Sequence, residues 1–163
     1  MNVRYDDKSQ LFYVEEQFRR KDVTSARGAL DGYQKGKCFY CYDDIAIDEA
    51  QGCDVDHFFP HTLQQFMPNI NFDGVWNLVL SCPQCNRGVN GKFAKVPDIK
   101  YLERLHKRNE FLISSHHPLR ETIIKQTGKT EAERRFFLQS IDSKAIQYLI
   151  QRWHTEQIGE ATF

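Results

Sequence analysis

Apolar residues recur at helical spacing toward both ends of the chain and lose that period in the middle. In SQLFYVEEQFRRKDV, Leu11, Val14 and Phe18 fall on one helical face, and a shorter helix is expected around Thr24 to Tyr33 before KGKC interrupts it. Between Cys38 and Ser81 the apolar runs are short (Ile45 to Ile47, Val55 to Phe59, Val75 to Leu80), and Gly52, Pro60, Pro68 and Gly74 separate them. That punctuation predicts short strands and loops. From Asp98 the helical period returns with Ile99, Leu102, Leu105 and Leu112. Pro118 reads as a first-turn proline and Thr130 with Glu133 as a capping box. A last helix is expected from about Asp142 toward Trp153, with Ile146, Leu149, Ile150 and Trp153 facing inward.

These elements predict an α+β protein: a small central unit flanked by N-terminal and C-terminal helices, with the helical extension at 98–155. At 163 residues and 40% hydrophobic content the chain suits one domain with a sizeable core. Repeats, low-complexity tracts and long linkers are missing, so residues 1–163 are expected to form one unit, and its abrupt helical start resembles that of a domain cut from a longer protein. No apolar run approaches the roughly 18–20 residues of a membrane span, and MNVRYDDKSQ is too polar to open a secretory signal. A cytoplasmic location without membrane attachment is the expectation.

Charge changes the picture through its distribution. The 22 basic and 22 acidic residues cancel, so net charge argues for no polyanionic partner. Cys38 to Pro60, however, holds six acidic residues and no Lys or Arg, whereas Arg87 to Arg135 holds twelve basic residues against six acidic ones. A segment able to attract a cation thus precedes one able to attract a polyanion.

Four of the five cysteines form two Cys-x-x-Cys pairs, CFYC (Cys38, Cys41) and CPQC (Cys82, Cys85). Two residues between thiolates let both reach one tetrahedral ion, and two such turns make a closed structural zinc site. Redox chemistry and disulfides fit less well, because no thioredoxin-like βαβ pattern surrounds either pair. The forty residues between the pairs exceed a zinc-ribbon gap, so further structure must be built there. Cys53 reads as a buried free thiol without a role.

Between and across the pairs lie VDHFFP (Val55 to Pro60) and WNLVLSCPQCNRGVNGK (Trp76 to Lys92). An Asp-His dipeptide ending a strand, Asn-Leu some twenty residues on, then Cys-x-x-Cys-Asn-Arg-Gly and a Lys resemble the HNH nuclease family in its zinc-bearing, Asp-His/Asn/Asn variant. The resemblance spans the core motif 38–92, about a third of the chain. It implies a ββα-metal core clamped by a four-cysteine zinc. It also implies a metal-dependent endonuclease that nicks DNA to leave 5′-phosphate and 3′-hydroxyl ends.

Phosphodiester hydrolysis needs an activated water, a Lewis acid at the leaving oxygen and cations against the developing charge. By the resemblance His57 is the general base, and an imidazole nitrogen is the side-chain group most often used to take a water's proton. Asp56 and Asn86 are the implied ligands of a catalytic Mg²⁺ or Mn²⁺, since two oxygen donors suit a hard ion that keeps waters. Asn77 matches the family's loop-holding Asn, and Arg87 and Lys92 fall where a helix would carry them toward phosphate. Pro60 argues against a continuous helix that would make His57 and His61 a metal pair, which leaves His61 as a contact to the site's ligands or to substrate, and His116 and His117 read as a loop and helix start.

DNA is the partner the resemblance implies, with RNA less favoured, and a double-strand break would need a dimer or a larger assembly. Restriction or phage defence is the setting such domains suggest. The alternative is a zinc-stapled nucleic-acid-binding module without cleavage of its own.

Overall fold

The computed structural model describes residues 26–49, 51–156 and 159–163; the helix expected at Leu11, Val14 and Phe18 lies outside them. The first described helix, α1 (Arg27–Gln34), ends where Lys35 and Gly36 turn left-handed at φ 51 and 75. Asp31 closes that end twice, its carbonyl accepting from Lys35 N–H and its Oδ1 from Gly36 N–H, both at 2.7 Å. This is a side-chain supplement to the usual left-handed helix stop.

Two short strands, β1 (Asp54–His57) and β2 (Leu78–Ser81), pair antiparallel with Asp56 opposite Val79 and His57 opposite Leu78. The helix α2 (Pro83–Arg87) follows β2 directly, with Pro83 in its first turn. Of the three apolar runs, Ile45 to Ile47 forms no strand: only a single bridge, Lys37 to Asp44, occurs nearby. Val75–Asn77 is a 3-10 turn that leads into β2. The outer side of β2 is closed by α1: the buried Gln34 amide accepts from Leu80 N–H (2.9 Å) and donates to Leu80 C=O (2.8 Å), as a neighbouring strand would.

The helical half comprises α3 (Ile99–Ser114), α4 (Arg120–Thr127) and α5 (Glu131–Leu149), packed on one another. Thr130 and Glu133 form the expected capping box on α5. Two expectations are corrected. Pro118 precedes Leu119, the cap of α4, and is not in its first turn. The helix expected from Asp142 is the second half of α5, because no Gly or Pro interrupts 131–149. It stops at Leu149: Ile150 turns to φ 63 and is 77% exposed, and the chain continues into β4 (Arg152–Trp153). There Trp153 is buried, pairing in parallel with β3 (Val96–Pro97) and donating its indole N–H to Asn90 C=O at 2.8 Å.

The described residues are thus a mixed α+β arrangement of five helices and two small sheets. Trp76, Phe58, Phe59 and Phe72 are fully buried at its centre, beside the equally buried Arg108. Among the described residues no helix is long and apolar enough to cross a membrane.

Candidate metal centre and active site

Cys38 and Cys41 follow α1 on a tight turn, and Cys82 and Cys85 lie at the start of α2. Antiparallel pairing of β1 with β2 brings the second turn beside the first, and the four sulfurs lie within 4.8 Å of one another. A tetrahedral ion with Zn–S bonds of about 2.3 Å places its sulfurs about 3.8 Å apart. Cys41 Sγ and Cys82 Sγ are 3.8 Å apart, so the donor set and its spacing both fit zinc.

Backbone amides address the sulfurs as well: Cys82 N–H points at Cys38 Sγ (3.3 Å) and Cys85 N–H at Cys82 Sγ (3.4 Å). Such contacts stabilise thiolates. Crowding separates the thiols in acidity. Hydrogen bonds from Cys41, Cys82 and Cys85 favour a thiolate at Cys38, while Cys85, bonded first to Cys38, is held protonated. Only a cation lets all four ionise together. From α3, Arg104 braces the first turn by donating to the carbonyls of Phe39 and Tyr40, with its guanidinium 4.3 Å from the Tyr42 ring. Cys53 is buried, stands outside the group of four, and burial raises its pKa.

His57 is the last residue of β1, so Asp56 and His57 sit where strand alternation gives way to loop. Asp56 is buried. Tyr40 donates its hydroxyl to Asp56 Oδ2 at 2.6 Å, and Lys92 Nζ stands 3.3 Å from Oδ1. Burial raises the Asp56 pKa against the opposing pull of Lys92 and Tyr40, and burial beside Asp56 drives Tyr40 well above its usual value. Lys92, expected at a phosphate, is fully buried. Its ammonium also donates to His57 C=O (2.9 Å) and Phe93 C=O (3.2 Å).

Asn86, on α2, donates its amide to Asp54 Oδ2 at 3.0 Å, and Arg87 Nε donates to the same oxygen at 2.9 Å. Asp54, two residues before Asp56 on β1, therefore ties α2 to the strand pair. Turning the Asn86 amide nitrogen to Asp54 leaves its amide oxygen as the donor a cation would use. Among the described residues the His, Cys, Asp and Glu groups close enough to share an ion are the four cysteines and His106 with Glu110 and Glu131, and Asp56 is in neither; its carboxylate and the Asn86 amide oxygen are two donors of the kind Mg²⁺ takes. Arg87 keeps about half of its side chain in solvent.

Asn77 is buried and uses its whole amide on backbone. It accepts from Phe59 N–H at 2.8 Å and donates to Phe59 C=O (3.0 Å) and Phe72 C=O (2.9 Å). Its own carbonyl accepts from Phe58 N–H at 2.7 Å, so the residue clamps the loop leaving His57 to the loop entering β2.

Of three further residues of the site, Asp73 and Tyr40 had no weight in the sequence, and Asp54 counted only as one of the six acidic residues of Cys38 to Pro60. Asp73, in NFDGVWN, lies with Oδ1 2.7 Å from His57 Nε2 and Oδ2 3.7 Å from His61 Nε2. Its signal was a lone carboxylate between the Asp-His and Asn elements. Tyr40 stands between the first two cysteines, and Asp54 alternates with Asp56. A separate group on the helical half, His106, Glu110 and Glu131, also clusters within 4.8 Å. Arg134 binds both oxygens of Glu110 at 2.8 and 3.0 Å, and Arg135 binds Glu131 at 2.7 Å, so it is an ion-pair network between α3 and α5.

No protein-family model, no curated protein and no solved structure matches this chain.

Proposed function

We propose that this chain is a metal-dependent endonuclease of the HNH type that nicks DNA, with a structural zinc on Cys38, Cys41, Cys82 and Cys85. The observation that carries the reading is the order of elements around His57. A strand ending in Asp56-His57 pairs with the strand that follows Asn77, and the zinc-knuckle helix bearing Asn86 and Arg87 comes next. That order supports a ββα-metal core built on the same residues that carry the sequence resemblance.

In this reading His57 takes a proton from a water whose oxygen bonds to phosphorus as the P–O3′ bond breaks in line. The leaving oxygen is protonated from solvent, and His57 returns its proton to solvent. Asp56 and Asn86 would hold Mg²⁺ or Mn²⁺, which when bound would supply Lewis-acid stabilisation of the departing charge. Arg87, half exposed on α2, offers a guanidinium to the backbone phosphate, and Asn77 holds the His57 loop. Lys92 serves as the internal counter-ion of Asp56.

The test is supercoiled plasmid incubated with the zinc-loaded chain and Mg²⁺ or Mn²⁺, with EDTA and His57→Ala as controls. Metal-dependent nicking that disappears in His57→Ala is the expected result; nicking retained by the variant removes His57 as the base. A second reading, a zinc-stapled nucleic-acid-binding module without cleavage, is favoured by one observation. Tyr40 and Lys92 already engage both oxygens of Asp56. It predicts intact plasmid under every metal together with salt-dependent DNA binding.

A further inference from the structure

We infer that Asp73 is the positioning residue for His57, fixing the imidazole as the tautomer whose Nδ1 faces the reacting water. The inference rests on the nuclease reading and extends it to a residue outside the motif. Asp73 Oδ1 lies 2.7 Å from His57 Nε2. An ionised carboxylate only accepts hydrogen bonds, so facing one Nε2 carries the proton, and in the neutral imidazole Nδ1 then holds the lone pair. A partner on one ring nitrogen settles which nitrogen is left for chemistry.

The surroundings make the contact a built one. His57 and Asp73 keep 17% and 24% of their side chains in solvent, so the pair is mostly shielded. Asp73 is followed by Gly74 and the 3-10 turn Val75–Asn77, which Asn77 clamps to the His57 loop. The Asn77 carbonyl also accepts from Phe58 N–H, so the residues after His57 and those after Asp73 are joined through backbone as well. His61 Nε2 stands 3.7 Å from the other oxygen of Asp73, with its ring 5.5 Å from that of His57. Asp73 thus has an imidazole nitrogen near each of its carboxylate oxygens.

Proton transfer follows the same route: water gives its proton to Nδ1, and Asp73 keeps accepting from Nε2–H without taking that proton. The carboxylate steadies the imidazolium that forms and prevents the ring from turning.

The experiment measures His57 ring nitrogens by long-range ¹H–¹⁵N NMR in the zinc-loaded full chain, alongside steady-state nicking of plasmid with Mg²⁺. Asp73→Ala should redistribute the tautomers and lower kcat by about 10 to 100-fold, with KM for DNA within about twofold. Asp73→Asn, which keeps an acceptor oxygen at the same place, should recover part of both. An Asp73→Ala protein with the wild-type tautomer and wild-type kcat overturns the inference. A wild-type chain that leaves plasmid intact under every metal overturns the nuclease reading and the catalytic half of this one, whatever the ring nitrogens show.

Discussion

The ammonium of Lys92 stands 3.3 Å from Asp56 Oδ1 in a pair that is almost wholly out of solvent. Taking one partner away from such a pair leaves an uncompensated buried charge, whereas the intact pair is close to neutral in its balance of desolvation and attraction. Lys92→Met should therefore destabilise the fold by about 3–5 kcal/mol in denaturant unfolding near neutral pH. Pairing it with Asp56→Asn should return much of that loss. Because Lys92 is buried, the folded variant should keep the wild-type dependence of DNA binding on salt. A shallower salt slope would mean that Lys92 reaches phosphate after all.

The zinc assignment makes a separate demand. Protein purified without chelator should carry one zinc per chain, and Cys85→Ser should lose it. The first cysteine turn has a single isolated bridge beside it and the second sits on the five-residue helix α2, so metal removal should abolish the cooperative unfolding transition of this half. Stripped protein that unfolds as the holo form does would contradict a structural site.

Sequence patterning disclosed the two Cys-x-x-Cys turns, the strand ending at His57 and the capping box of α5, because each depends on residues a few positions apart, whereas Val75–Asn77, part of an apolar run that suits a strand, is a 3-10 turn. It failed where long-range contact decides. Trp153 reads as one more apolar residue of a helix, yet it is drawn into β4 by pairing with Val96 and Pro97, some fifty-five residues earlier. Lys92 has the look of a surface cation because nothing local reveals that Asp56 and the His57 carbonyl await it. Asp73 was illegible for the same reason: sixteen residues separate it from His57, and only the folded loop brings them to 2.7 Å.

Asn77 tests whether the loop after β1 is held by one side chain. Its amide makes three buried hydrogen bonds, to Phe59 N–H, Phe59 C=O and Phe72 C=O. Removing it leaves those groups without partners in the core, at about 1–3 kcal/mol for each unsatisfied group before relaxation. Asn77→Ala should lose roughly 2–4 kcal/mol of stability by urea unfolding, and in the fraction that remains folded the amides of Phe58 and Phe59 should exchange faster with solvent. Unchanged exchange there would show that the clamp lies elsewhere.

Arg108 shows how the helical half supports the same loop. It is fully buried on α3, and among the described residues its guanidinium donates to the carbonyls of Leu78 (2.8 Å), Val75 (3.0 Å) and Trp76 (3.3 Å), and to Asn109 Oδ1 at 2.9 Å. These carbonyls belong to the 3-10 turn and the first residue of β2, which together carry Asn77 and face β1. Burial lowers its pKa to about 10, still far enough above neutrality for the charge to persist. Because the folded value lies below the unfolded one, charged Arg108 opposes folding below about pH 10, and that penalty is relieved only as pH rises past it. What offsets it near neutrality is the set of carbonyls that would otherwise be unsatisfied. Arg108→Met should thus lower stability by roughly 2–4 kcal/mol, with the same loss throughout about pH 6 to 8, where the charge does not change. Calorimetry across that range checks both statements. A loss below about 1 kcal/mol would mean that the carbonyls find other donors and that the His57 loop does not depend on α3.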